Sequence, residues 1–81
     1  MNENRHIKKA FGNAVREARL RSNMSQERLA EVAGLDRTYI GGVERGERNP
    51  SLVALKKIAR GLGLPLSELF SEMQALDKEE D

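Results

Sequence analysis

The chain has 81 residues, no cysteine and one histidine, His6, so disulfide and zinc stapling are excluded and a single domain is expected. No apolar stretch approaches the ~20 residues of a membrane span, and Met1-Asn2-Glu3-Asn4-Arg5 lacks the apolar core of a signal peptide, so a cytoplasmic protein without membrane contact is expected. The net charge of +1 hides an asymmetry: residues 1–60 hold 13 Lys+Arg against 7 Asp+Glu, and residues 61–81 hold 1 Lys against 6 Asp+Glu. Residues 1–6 are polar and expected to be a flexible N-terminus. Ile7, Phe11, Val15 and Ala18 then recur at helical spacing, with Ala10 and Ala14 beside them and basic Lys8, Lys9 and Arg16 on the flanks. Ser22-Asn23 ends this first helix. Ser25 is a good cap for a second, about 26–33, with Leu29, Ala30 and Ala33 inward and Gly34 suited to the left-handed geometry past its end. Asp36 caps a third, about 37–44, that buries Ile40 and Val43. Gly41-Gly42 inside it costs roughly 1 kcal/mol per Gly relative to Ala. Pro50 or Ser51 opens a fourth helix carrying Leu52, Leu55, Ile58, Ala59 and Leu62. Pro65 sits at the start of a fifth, with Leu66, Leu69, Phe70 and Met73 on its apolar face. Residues 7–76 form the expected domain, and 77–81 an acidic tail too polar to pack. No alternating apolar pattern suggests a strand, so the class is all-α with about five helices.

The segment from Met24 to Pro50 carries the functional signal. Two short helices meet at a tight turn containing Gly34, and the second begins with Arg37 and Thr38, side chains able to read base edges. That is the pattern of a helix-turn-helix, here about 25–45, and it implies DNA recognition. The basic part of the chain coincides with it, as a surface facing a polyanion requires. A merely solvated charged surface gives the same balance.

The match extends further. S-Q-E-R-L-A at 25–30, A-G-L-D-R-T-Y-I at 33–40, V-E-R-G at 43–46, R-N-P-S-L at 48–52, I-A-R-G-L-G at 58–63 and L-S-E-L-F at 66–70 resemble the Cro/phage-repressor type of helix-turn-helix, the XRE family. L-D-R-T-Y-I followed by V-E-R-G looks like the controller proteins of restriction–modification systems, which are small homodimers without an effector domain. The resemblance implies a compact five-helix, lambda-repressor-like DNA-binding domain. Ala18 stands where the family more often has a large aliphatic, and Gly41-Gly42 where a side chain is common.

Arg37 can donate two hydrogen bonds to guanine N7 and O6, or one to a phosphate. Thr38 can bond a base edge or touch a thymine methyl, or serve only as a helix-start residue. Tyr39 is amphipathic, able to pack its ring inward and reach a phosphate with its hydroxyl. By resemblance Gly42 falls at a base-reading position, where it leaves either close backbone approach or an unread base; simple tight packing is the alternative. By resemblance Gln26 bonds a phosphate and steadies the reading helix. The free N–H groups of that helix start favour a phosphate on physical grounds. Ser25 adds to this or caps only. Arg45, Arg48 and Asn49 are candidate backbone clamps or solvated loop residues. Arg19 and Glu44 look like the family's internal ion pair.

One copy reads only a few base pairs, so a homodimer on a roughly palindromic double-stranded operator is expected. Leu66, Leu69, Phe70, Met73 and Leu76 are the candidate interface, with Leu66 and Leu69 also suited to closing the core. His6 lies in a polar segment, and no nucleophile–base arrangement or phosphate-cradling loop appears, so neither an enzyme nor a bound cofactor or metal is expected. No small-molecule effector is expected, since a single domain is expected. The competing function is an antitoxin, which uses the same fold to bind DNA and a protein partner; only 71–81 is available for that partner.

Overall fold

Short polar side chains set the starts of the middle helices. Ser25 Oγ accepts the Arg28 N–H at 2.9 Å, an Asp36 carboxylate oxygen accepts the Thr38 N–H at 3.3 Å, and Ser51 Oγ accepts the Ala54 N–H at 3.1 Å. Each satisfies a backbone donor that the helix itself leaves unpaired. The computed structural model describes the backbone of residues 3–80 and the side chains of residues 3–76. Five helices result: α1 (Glu3–Arg21), α2 (Gln26–Ala33), α3 (Arg37–Glu44), α4 (Leu52–Leu62) and α5 (Leu66–Glu80), with no strand among the described residues. None of the described helices is long and apolar enough to cross a membrane.

The core is shared by all five. Phe11, Val15, Leu29, Ile40, Val43, Ile58, Leu62 and Leu69 are buried together, with Ala14, Ala18, Ala30 and Ala33 letting the helices approach. The α1 helix packs on α3 and α5, and α2 on α3 and α4. Gly12 marks the closest approach: a β-carbon there would run into the carbonyl oxygens of Val43 and Glu44. The C-terminal turn of α3 therefore rests directly on the backbone of α1. Phe11 and Phe70 close the opposite side, their ring centroids 6.3 Å apart at 58°.

Several expectations need correction. The helix begins at Glu3 rather than near Ile7, so 3–6 are helical; Glu3 places its negative charge in the first turn, where the helix dipole favours it. Met1 and Asn2, the rest of the expected flexible stretch, lie outside the described residues. Ile7 and Leu52, assigned to buried stripes, are 44% and 75% exposed, each standing at the first apolar position of its stripe. Pro65 stands one residue before α5, its carbonyl accepting the Glu68 N–H at 3.0 Å. Leu69, a candidate interface residue, is fully buried against the core and offers no surface. Leu66, Phe70, Met73 and Leu76 are half-buried against the same core. The side chains of the acidic tail, 77–81, lie outside the described residues.

Candidate nucleic-acid interface

The link between α2 and α3 is three residues long, and its geometry rests on Gly34. This residue has φ 71°, in the left-handed region, and a β-carbon on it would meet nothing within 4 Å. Its requirement is conformational rather than steric. The turn closes when the Leu35 N–H donates to the Ala30 carbonyl at 2.9 Å and the Gly34 N–H to that of Glu31 at 3.3 Å. Leu35 packs on the core, so the chain enters α3 at a fixed angle.

That angle decides what α3 shows. Ile40 to Glu44 are buried, whereas Arg37 and Thr38 are exposed. Arg37 forms no ion pair or hydrogen bond among the described residues, so its five N–H donors face outward unspent. Tyr39 is half-buried, its ring against the core.

The far end of α3 is locked by a buried polar cluster. Arg19 Nε donates to Glu44 Oε2 at 2.7 Å and its Nη2 to Oε1 at 3.0 Å, a bidentate pair with side chains only 10% and 3% exposed. Arg19 Nη1 also donates to the Met24 carbonyl at 2.8 Å, tying the end of α1 to the segment that leads into α2. Gln26 Nε2 donates to Glu44 Oε1 at 3.0 Å. The sequence assigned Gln26 to a phosphate and did not show this bond, because it joins residues 18 positions apart. An amide carries two N–H groups, so the second remains for an external acceptor.

Beyond α3, Arg45 is not free. Its Nε and Nη2 donate to the Glu47 carboxylate at 3.0 and 3.2 Å. The hydrogen bond from Arg45 holds the Glu47 carboxyl below its ordinary pKa; desolvation opposes the shift and the charges of Arg45 and Arg48 reinforce it, all screened by solvent at this exposed site. The same hydrogen bond raises the Arg45 pKa. Glu47, unnoticed in the sequence, thus neutralises one candidate clamp; its position two residues from Arg45 was the available signal. Arg48 instead folds back over α3, its guanidinium carbon 5.6 Å from the Tyr39 ring centroid. Gln26, Tyr39, Gly42, Arg45 and Arg48 accordingly gather around α3. Asn49 does not join them: it borders an apolar groove of about 270 Å³ lined by Ile7, Phe11, Leu55, Phe70 and Met73. Leu52 and Val53, 75% and 63% exposed, form a second apolar surface at the start of α4.

Two short helices packed on each other and joined by a glycine turn, the second with its start exposed, are a helix-turn-helix. The helix-turn-helix family profile matches residues 15–69. The control protein C.MunI of a Mycoplasma species is 49% identical over 69 residues, covering 84% of this chain and 93% of its own. Among solved structures, the restriction–modification controller protein C.AhdI from Aeromonas hydrophila is 51% identical with a TM-score of 0.76, covering 78% of this chain and 96% of its own. The controller protein C.Esp1396I, solved as a tetramer in complex with its natural 35 base-pair operator, is 32% identical with a TM-score of 0.82, covering 88% and 93%. The chain belongs to the XRE-type helix-turn-helix family, among the restriction–modification control proteins.

Proposed function

We propose that this protein is a sequence-specific, double-stranded-DNA-binding transcriptional regulator, acting as a homodimer in the control of a restriction–modification system. The observation that carries it is the uncovered leading edge of α3, with Arg37 and Thr38 exposed on a helix whose other end is locked to α1. Arg37 reads guanine, Thr38 reads the adjoining base edge, and the free N–H groups at the start of α2, with Ser25 and Gln26 beside them, take a phosphate. Tyr39, Arg48 and, once released by Glu47, Arg45 add contacts to the backbone of the duplex. C.Esp1396I on its operator supports an assembly of several copies on DNA.

Dimerisation joins two reading helices about one helical turn, ~34 Å, apart on the duplex. The surface for it combines Met73 and Leu76 of α5 with the rim residue Phe70 and the exposed pair Leu52 and Val53. Regulation follows by occluding a promoter or by contacting polymerase, in the cytoplasm and without catalysis. Selecting bound fragments from the source genome and footprinting them tests the whole reading. Protection of a roughly palindromic site upstream of a methyltransferase or endonuclease gene is expected; no enrichment of any fragment at low ionic strength overturns it.

A further inference from the structure

We propose that Gly42 and Tyr39 form a seat that orders Arg48 on α3 before DNA arrives. The inference rests on the DNA-binding function above and adds a positioning role for two residues. A β-carbon on Gly42 would stand 2.8 Å from Arg48 Cγ, 3.1 Å from its Nε and 3.5 Å from its Cδ. The arginine stem therefore occupies the space that a side chain at 42 would fill. Its guanidinium lies over the Tyr39 ring at 5.6 Å, and that ring is itself held against the core.

The chain reaches back this far because of how α3 ends. The Gly46 N–H donates to the Val43 carbonyl at 3.0 Å and the Glu47 N–H to that of Gly42 at 2.8 Å, with Gly46 at φ 76°. This turn places Arg48 beside the carbonyl end of the helix it leaves. Arg48 also forms no ion pair among the described residues, in contrast to Arg45. A guanidinium held over a ring face by cation–π attraction spends none of its N–H donors on that contact and keeps them for an acceptor. A free arginine loses much rotamer freedom when it binds; one already seated loses less. Glycine in mid-helix is unfavourable, and the seat gives that choice at position 42 a reason.

Gly42→Ala separates the seat from the fold. The atoms it would displace belong to a side chain that can rotate at its own root, so Arg48 swings away and α3 stays helical, which circular dichroism checks. Without DNA, ring-current-shifted Arg48 Hε and Hδ resonances are expected in the parent and in Tyr39→Phe, and their loss in Gly42→Ala and Tyr39→Leu. On the selected duplex, Gly42→Ala should weaken binding about two- to fivefold per half-site. In an Arg48→Ala background it should cost nothing further. Unshifted resonances in the parent overturn the seat whatever the protein does with DNA. So does a Gly42→Ala loss that persists undiminished without Arg48, or no loss in its presence. Shifted resonances in a parent that binds no duplex overturn the DNA-binding function instead.

Discussion

Glu44 shows how a single carboxylate can hold a recognition surface in place. It accepts from Arg19 twice and from Gln26 once, in a site almost closed to water. Removing it strands the Arg19 charge, so Glu44→Ala should cost ~3–5 kcal/mol, a large share of the total for a small domain. Chemical denaturation reads this as a lower midpoint at unchanged slope. The sequence carried the pair through its resemblance to a family, since 25 residues separate the partners and no local spacing joins them. Glu47 acts in the opposite sense. Its carboxylate holds Arg45 and repels phosphate, so Glu47→Gln should tighten binding to any duplex and steepen its salt dependence. Its pKa is depressed, so the pair is intact above the ordinary carboxylate value and opens only as pH falls below it. The effect of Glu47→Gln should consequently stay constant between about pH 5 and pH 8, as parallel titrations of parent and variant would show.

At the level of elements, two glycines carry different constraints, and substitution distinguishes them. Gly34 needs its left-handed φ of 71° but has open space around it. Gly34→Ala should therefore cost about 1–2 kcal/mol, the strain of that conformation alone. Gly12 has helical geometry and no space, because the backbone of α3 lies on it. Gly12→Ala must push α1 and α3 apart, and its loss in thermal melts should exceed that of Gly34→Ala. The difference mirrors what the sequence could reveal. Gly34, Ser25 and Asp36 act on their own neighbours, and their roles were legible from type and position. Gly12 acts through a helix remote in sequence, and nothing near it signalled that. The start of α1 was misjudged for a related reason: polar composition argued for a loose segment, while helical continuity from Ile7 and a charge matched to the dipole extend it to Glu3.

For the whole molecule, what remains open to a second copy is set by which apolar residues the five helices fail to cover. Periodicity identifies the faces of α4 and α5 but not where each face runs out of partners: of the two roles open to Leu69, core and interface, the fold gives it the core, and Leu52, expected in the core, is exposed. Leu52→Glu together with Val53→Glu should leave the fold intact, since both are exposed, and shift sedimentation toward the monomer. Operator binding should fall with it, because half-sites are then engaged singly. The charge is unevenly distributed along the chain, with basic residues most numerous on α1 and α4, which flank α2 and α3, and acidic ones beyond residue 60. The proposed function turns on the exposed start of α3, and Arg37 is its sharpest probe. Affinities of the parent and Arg37→Ala should be measured side by side on the selected duplex and on a scrambled one, at fixed salt. A base reader loses about 1–3 kcal/mol on the selected duplex and far less on the scrambled one. Equal losses on both would reduce Arg37 to a phosphate contact and contradict recognition through the leading edge of α3.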